Sequence, residues 1–339
     1  MNSLATINGD IVIGFIGAGR FASSFLLPHL LKTKNIYFHT VVNNSGLSSK
    51  AIQTKYKFFK SSSDILDIVD SKEINLVFIT SRHDTHFDYL LKSLEVGKNI
   101  FIEKPICIKE DELEKIKEKV DKLRELNQMP VLRVGYNRRF SKISLKLKKE
   151  LQSHIRPISI LYRINAGLLD GSHWLLDEEV GGGRIVGEVC HFVDYCIFIV
   201  ESKVESVFCS AINYDGSIKN QDTIQINICF QNGSIATIIY ISDVDSSSSK
   251  EYIEITGDET IYQIDDFKSF SMTKNRKKRM LVSSSRQFKG YREEIVDLFE
   301  VLNKGSIDSK MSFDEIYHGM KVVFAVKQSL RTNQLVKID

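Results

Sequence analysis

The feature that most constrains this chain is a glycine-rich turn between a short apolar run and a helical pattern. Residues 11–16 have the length and composition of a strand, and Gly17-Ala18-Gly19-Arg20-Phe21-Ala22 follows directly. Gly17 permits a tight turn, and Gly19 has no Cβ, so its backbone can approach a pyrophosphate at the positive end of the next helix. The order strand, turn, helix predicts a dinucleotide-binding unit.

Strand-like and helix-like segments then alternate along the first part of the chain. We expect strands at 36–42, 76–79 and 99–102, and helices at 48–56, 65–69, 86–97 and 109–126. Such alternation predicts a doubly wound parallel sheet, that is, a Rossmann domain over residues 1–129. Ligands of these sheets bind beyond the carboxyl ends of the strands, where we place segments 17–22, 80–86 and 103–105.

The rest of the chain has a different pattern, dominated by strands without intervening helices. We expect one long apolar helix at 184–200, two closing helices at 291–302 and 313–331, and strands at 131–134, 158–164, 204–212, 223–230, 234–242, 251–256 and 260–264. This predicts an α/β domain over 130–339 with a large, mainly antiparallel open sheet. Since an open sheet leaves one face uncovered, we also expect a homo-oligomer, either a dimer or a tetramer.

Composition excludes several classes of protein. The 46 Lys and Arg residues against 43 Asp and Glu give a net charge of only +3, which does not favour a nucleic-acid partner, and we expect the basic run 276–279 to be a solvated loop. No apolar run approaches the ~18 residues that span a bilayer, and the polar N-terminus does not resemble a signal peptide. Five cysteines without a CxxC pair favour free thiols in a cytoplasmic protein.

Three motifs together resemble the Gfo/Idh/MocA oxidoreductases: Gly17-Ala18-Gly19, Glu103-Lys104-Pro105, and the helix that follows Gly181-Gly182-Gly183 and carries His191. The resemblance covers nearly the whole chain and implies a Rossmann domain followed by an open-sheet domain. It also implies an enzyme that transfers a hydride between a nicotinamide and a CH–OH carbon of a sugar or polyol.

The resemblance assigns the catalytic roles. Lys104 is expected to exchange a proton with the reacting hydroxyl, because desolvation and a cationic nicotinamide both favour loss of an ammonium proton. His191 is expected to hydrogen-bond the same hydroxyl. The family usually has Asp four residues before this His, where this chain has Gly187, and Glu188 follows instead. Glu188 either orients His191, contacts a sugar hydroxyl or only pairs with Arg184, and Asp194 is an alternative partner for the imidazole.

Binding residues follow from the same motifs. Those expected to bind the cofactor are Gly17, Gly19, Arg20, Phe21, Asn43, Ser81, His83, His86, Glu103, Lys104 and Pro105. Those expected to contact substrate are Asn137, Arg138, Trp174 and His191, and the neighbouring guanidinium groups of Arg138 and Arg139 are a possible phosphate clamp. We expect no metal, since His83-x-x-His86 lacks further ligands nearby.

The choice between NAD and NADP depends on the end of the second predicted strand. An acid there usually binds the ribose hydroxyls, but residues 43–50 contain none. Asn43 or Asn44 can bind a 2′-hydroxyl, and Ser45 or Lys50 a 2′-phosphate. Because no arginine stands close, NAD is slightly favoured.

The substrate is less constrained than the chemistry. The form of residues 181–192 resembles a subgroup associated with bacterial surface polysaccharides, which favours a nucleotide-activated N-acetylhexosamine oxidised or reduced at a ring carbon. The alternatives are a free-sugar or inositol dehydrogenase, a non-catalytic NAD(P)-binding regulator, and cofactor-assisted glycoside cleavage. The sequence does not specify the ring position, the direction of the reaction or the oligomer size.

Overall fold

The computed structural model describes residues 10–212, 223–245, 247–304 and 311–338. Within these residues the chain divides into two units that alternate along the sequence. The first runs to Tyr136 and includes Tyr291–Phe313, and the second comprises Asn137–Gly290 and the segment that begins at Asp314. The division into domains 1–129 and 130–339 remains a prediction.

A parallel sheet lies at the centre of the first unit. Its strands are β1 (Ile11–Ile16), β2 (Ile36–Val42), β3 (Lys60–Ser62), β4 (Leu76–Ile79), β5 (Asn99–Ile102) and β6 (Leu132–Val134). The helices between them are α1 (Leu27–Leu30), α2 (Gly46–Tyr56), α3 (Leu66–Val69), α4 (His86–Glu95) and α5 (Glu110–Glu125). The strand order is β3-β2-β1-β4-β5-β6, with every pair parallel, so the predicted Rossmann topology is confirmed.

Strands β1, β4 and β5 consist mostly of apolar residues because both faces of the sheet pack against protein there rather than water. Every residue of β4 and β5 is buried. Aromatic rings of adjacent strands stack through the sheet, with Phe15 5.2 Å from Phe78 and Phe78 4.9 Å from Phe101. This packing holds together the three strands, β1, β4 and β5, whose carboxyl ends lead into the turns expected to face a ligand.

The second unit contains α6 (Lys142–Leu151), α7 (Cys190–Val200) and a nine-stranded sheet. The strands are β7 (Ser159–Asn165), β8 (Val204–Ala211), β9 (Ile224–Phe230), β10 (Ile235–Ile241), β11 (Glu251–Gly257), β12 (Thr260–Asp265), β13 (Ser269–Lys274), β14 (Lys277–Ser283) and β15 (Val336–Lys337). Their order is β14-β13-β12-β11-β7-β10-β9-β8-β15. Only β7 and β10 pair in parallel among these strands, which confirms the mainly antiparallel sheet.

One expectation about local structure is wrong. Residues 277–279 of the basic run lie in β14, not in a loop, and β14 ends the strand order. Charged side chains suit an edge strand because they oppose pairing with another chain. The helix expected over 184–200 is confirmed, and Ile185–Val189 forms a π-helical turn before α7.

The first unit is completed by α8 (Tyr291–Lys304), which lies far along the chain from the Rossmann strands. Its Leu298 is fully buried in the same core as Phe15, and its Asp297 accepts a 2.6 Å hydrogen bond from the buried Arg133 of β6. The last helix is α9 (Phe313–Thr332). In the part of the chain that the structure describes, no helix combines the length and apolarity needed to span a membrane.

Candidate functional site

The glycine-rich turn after β1 is shaped by two glycines with different surroundings. Gly17 has φ +79°, and a Cβ there would lie 2.5 Å from the backbone N and Cα of Ser81. Its carbonyl accepts a 2.7 Å hydrogen bond from the Thr80 hydroxyl. A Cβ on Gly19 would instead meet only the carbonyl oxygen of Gly17, at 3.8 Å, within 4 Å. The space beside Gly19 is therefore open, as the predicted approach of a pyrophosphate requires.

The helix that follows this turn begins with exposed Arg20 and passes through a π-helical turn, Ala22–Leu26. The Phe21 ring packs in an aromatic group, 5.3 Å from Phe25 and 6.0 Å from Tyr291. First-turn amides of a helix have no partner within the helix, so they can bind an anion placed beside Gly19.

The loop after β2 carries amide and hydroxyl groups. The backbone N–H of Asn43 donates to the Ser49 hydroxyl at 2.9 Å, and Ser45 caps α2 by accepting from the Ser48 N–H at 3.3 Å. The Lys50 ammonium donates to Gln53 at 2.8 Å. The loop therefore offers neither a carboxylate for a ribose nor a guanidinium for a 2′-phosphate.

The segment after β4 contains both histidines of the HxxH pair. His86 is fully buried, with Nδ1 2.7 Å from the Pro105 carbonyl oxygen and Nε2 3.2 Å from that of Ser81. Burial lowers the pKa of His86, which keeps the ring neutral. His83 is also buried, and the two rings are 5.6 Å apart. No cluster of three or more metal-ligating side chains occurs among the described residues.

The Glu103-Lys104-Pro105 turn follows β5 at the same edge of the sheet. The Glu103 carboxyl group lies against Gly135, where a Cβ would come within 2.7 Å of Oε1. Burial raises the pKa of Glu103 to about 7, despite the opposing effect of Lys104. Lys104 is partly buried, and the peptide bond between Lys104 and Pro105 is cis. The first unit thus brings the predicted lysine and the glycine turn to one edge.

The second unit places Gly181-Gly182-Gly183 against a short 3₁₀ turn that contains Trp174. A Cβ on Gly181 would lie 2.4 Å from the backbone of Leu175, and Gly182 and Gly183 have φ of +77° and +69°. Trp174 is partly buried, with its ring 5.8 Å from that of His173. The three glycines are therefore explained by backbone geometry, and they fix where the next helix begins.

Glu188 is held by two side chains in the π-helical turn and the sheet. Its Oε2 accepts from Arg184 Nη1 at 3.2 Å and from the Tyr240 hydroxyl, while Arg184 also donates to that hydroxyl at 2.9 Å. Of the three roles considered for Glu188, pairing with Arg184 is present. Because Glu188 lies in a π-helical turn, the α-helical rule that residues at i and i+3 share a face does not apply to Glu188 and His191.

His191 lies in the first turn of α7 and is 6% exposed. Asp194, the alternative partner for its imidazole, is bound by another side chain. Arg139 donates to both carboxylate oxygens of Asp194, with Nη2–Oδ1 at 2.7 Å and Nε–Oδ2 at 2.8 Å. The Asp194 carboxylate is therefore committed to an ion pair inside the second unit.

Arg138 and Asn137 are also committed to groups of the second unit. Arg138 pairs with fully buried Glu251, at 2.5 Å for both Nε–Oε2 and Nη2–Oε1, and the Tyr162 hydroxyl donates to Oε2 at 2.6 Å. Asn137 donates to the Lys289 carbonyl at 2.7 Å. Burial raises the pKa of Glu251, but Arg138 and Lys289 outweigh burial and hold it well below its usual range.

These contacts correct the hypothesis of a phosphate clamp, since both guanidinium groups bind buried carboxylates instead. Sequence reasoning missed Tyr240 and Glu251, the residues that hold Glu188 and Arg138. A signal existed for Tyr240, because the alternation of β10 places it on the buried face, where a hydroxyl needs a partner. Glu251 begins a strand, and nothing in its neighbourhood indicates a buried charge.

Comparisons with known proteins agree with this architecture. Residues 11–135 match the Gfo/Idh/MocA oxidoreductase family model for an NAD-binding Rossmann fold, and residues 156–263 match a C-terminal domain of the same family. An uncharacterized oxidoreductase of Bacillus subtilis, YrbE, is 27% identical over 239 residues, which are 68% of this chain but just 66% of that relative. A myo-inositol 2-dehydrogenase of Thermotoga maritima is 22% identical over 231 residues, 67% of each chain.

Solved structures show the same fold over nearly the whole length. A levoglucosan dehydrogenase in complex with NADH and levoglucosan superposes with a TM-score of 0.84 at 17% identity, covering 97% of this chain and 99% of that one. At this identity the likeness supports the fold alone.

Proposed function

Because the chain belongs to the Gfo/Idh/MocA oxidoreductase family, we propose that it is an NAD(P)-dependent dehydrogenase that acts on a CH–OH carbon of a sugar or polyol. The observation that carries the proposal is the carboxyl edge of the first sheet. There the turn that contains Gly17 and Gly19 packs against Ser81, and His86 lies between Ser81 and the Pro105 carbonyl of the Lys104 turn. A dinucleotide site and a proton acceptor at one edge are what hydride transfer from an alcohol requires.

In this mechanism Gly17 shapes the turn, and the backbone around Gly19 would hold the pyrophosphate of a dinucleotide whose nicotinamide would supply the hydride acceptor or donor. Lys104 Nζ takes the proton of the substrate hydroxyl as its carbon is oxidised and returns it in the reverse direction. In the second unit, the residues proposed to bind the sugar are His191, Trp174 and Glu188, and Glu188 is held by Arg184 and Tyr240.

The test is Lys104→Ala, with exposed Lys92→Ala in the same unit as the control. We expect kcat to fall by about 10²–10⁴-fold, the usual contribution of a general acid–base group, with the Kd for NADH unchanged. Reduced nicotinamide is followed by absorbance and binding by fluorescence. Full turnover in Lys104→Ala contradicts the mechanism.

For the substrate we propose a nucleotide-activated N-acetylhexosamine. The support is the form of residues 181–192. The myo-inositol and levoglucosan dehydrogenases, named for hydroxylated rings, favour the alternative of a free sugar or polyol. Assaying nucleotide sugars beside their free sugars and inositols, each with NAD and NADP, separates these cases.

We expect a higher kcat/KM with NAD, since the loop after β2 offers no guanidinium for a 2′-phosphate.

The same assay distinguishes the two rival functions. A regulator binds NADH without turning over any substrate in the panel. Cofactor-assisted glycoside cleavage releases an aglycone with no net change in reduced nicotinamide. The Glu103-Lys104-Pro105 turn, which places an ammonium at the ligand edge, favours the dehydrogenase over the regulator.

We also propose a homo-oligomer that forms through the outer face of the nine-stranded sheet. Leu161, Ile235 and Ile261 lie on this face and are 36%, 50% and 38% exposed. The double substitution Leu161→Lys, Ile235→Lys is expected to lower the sedimentation coefficient to that of a monomer. Ile155→Lys, at a loop residue that is 94% exposed, serves as the control and should leave the oligomer intact.

We place the protein in the cytoplasm. The five cysteines are present as thiols, four of them buried, as expected where thiols stay reduced. Fractionation of cells that express a tagged chain checks this, and recovery from the extracytoplasmic fraction contradicts it.

A further inference from the structure

The imidazole of His86 occupies a central place in the first unit. It is fully buried at the start of α4, and each ring nitrogen faces a main-chain carbonyl oxygen. One oxygen belongs to Ser81, in the segment after β4, and the other to Pro105, in the turn after β5. The ring therefore spans two neighbouring loops at the carboxyl edge of the sheet.

Only one of the two contacts is a donated hydrogen bond. A neutral imidazole carries a single N–H, and burial lowers the pKa of His86 so that the ring stays neutral. The Nδ1–Pro105 distance of 2.7 Å is that of a strong hydrogen bond, whereas Nε2 lies 3.2 Å from Ser81. We assign the proton to Nδ1, so His86 donates to the residue directly after Lys104.

The other contact leads back to the phosphate-binding turn. The backbone of Ser81 packs where a Cβ of Gly17 would stand, and Thr80 hydrogen-bonds the Gly17 carbonyl. Ser81 therefore lies between Gly17 and the His86 ring, and the other side of the ring donates to Pro105.

We propose that His86 is a positioning residue: its Nδ1–H holds the Glu103-Lys104-Pro105 turn to the start of α4 and so sets where Lys104 Nζ meets the reacting hydroxyl. His86 is then neither a ligand of the cofactor nor half of a metal pair. The inference rests on the proposed function in that it assigns Lys104 as the group being positioned.

The experiment compares two substitutions of His86 whose side-chain amide groups differ in length by one methylene. In His86→Asn the side-chain N–H₂ stands near the position of Nδ1 and can donate to Pro105. In His86→Gln it stands near the position of Nε2 and reaches toward Ser81. We expect Asn to retain most of the wild-type kcat and Gln to lose about 10–100-fold, because small misplacement of a reacting group costs that much. The NADH Kd stays unchanged in both, as does the apparent pKa of the pH–rate profile.

Three results overturn the proposal. Equal kcat in the two variants means that the hydrogen bond donated to Pro105 does not contribute to catalysis. A Kd for NADH that rises in both means that His86 binds the cofactor. A shift in the apparent pKa of the rate profile in the Asn variant means that His86 itself exchanges the proton.

A second measurement does not depend on turnover. Reductive methylation of Lys104 in the NADH-bound protein, quantified by mass spectrometry with Lys92 as internal reference, reports the position of the amine directly. We expect the Lys104 labelling rate to change in His86→Gln and to match wild type in His86→Asn. If Lys104→Ala keeps full activity, the proposed function fails while this comparison still decides whether His86 positions the lysine. Identical labelling in all three proteins contradicts the inference.

Discussion

Gly17 and Gly19 belong to one turn, yet the structure gives each a different reason to lack a side chain. Gly17 has a left-handed backbone and touches Ser81, so the fold itself requires glycine there. Gly19 faces open space, so the fold does not require glycine there and the proposed dinucleotide accounts for it. At the scale of the residue, stability and binding are therefore separable in this turn.

The first prediction uses this difference. Gly17→Ala is expected to destabilise the protein by about 1–3 kcal/mol, because a Cβ at a positive φ is strained and collides with backbone. Gly19→Ala should leave the unfolding midpoint unchanged and weaken NADH binding. Urea unfolding and a fluorescence titration measure the two effects, with Gly46→Ala, where a Cβ meets nothing within 4 Å, as the control. Equal loss of stability in both variants contradicts the assignment.

The second prediction concerns the raised pKa of Glu103. Desolvation raises its carboxyl pKa from the usual 4.5 to about 7, so its contribution to stability is full below pH 4.5 and is lost as the pH rises through 7. Glu103→Gln removes this charge. Its Tm should therefore equal that of wild type near pH 5 and exceed it by a few degrees near pH 8. A Tm difference that does not depend on pH contradicts the prediction.

At the scale of the element, a buried ion pair ties a short turn to the large sheet. Arg138 lies in a 3₁₀ turn, Asn137–Phe140, and Glu251 begins β11. Their bidentate contact, reinforced by Tyr162 of β7, joins segments that local hydrogen bonds do not connect. The pair therefore anchors the first residues of the second unit to its sheet.

Breaking this pair is the third prediction. Glu251→Gln leaves Arg138 as a buried charge without its full partner and is expected to cost about 3–5 kcal/mol. Glu254→Gln, on the opposite face of β11, should cost under about 1 kcal/mol. Urea unfolding measures the free energy of unfolding of both variants. Similar losses in the two contradict a stabilising role of the Arg138–Glu251 pair.

At the scale of the molecule, the first unit is assembled from distant parts of the chain. The described core of this unit combines residues of β1, β2, β4 and β5 with Ile295, Leu298, Phe299, Val301 and Leu302 of α8. Truncating one such leucine usually costs about 2–5 kcal/mol, so loss of the whole helix exceeds the stability of a typical domain.

The fourth prediction follows for a fragment that ends at residue 129, the predicted limit of the first domain. Without β6 and α8 it is expected to lack a cooperative unfolding transition and to bind a hydrophobic dye. A fragment of residues 1–136 joined by a flexible linker to 291–313 should unfold cooperatively. Circular dichroism during thermal unfolding measures both, and cooperative unfolding of the shorter fragment contradicts the role of α8.

Features that depend on near neighbours could be predicted from the amino-acid pattern. The glycine turn and the alternation of strand-like and helix-like segments predict the Rossmann topology, and the strand-length runs without intervening helices predict the antiparallel sheet. Helix α6 and the strands β3, β13, β14 and β15 were not predicted. Polar partners were decided by the tertiary structure alone: Arg138 lies 113 positions from Glu251, and Tyr240 lies 52 from Glu188. A buried charge needs a partner, but sequence spacing does not say which distant group packing will bring to it.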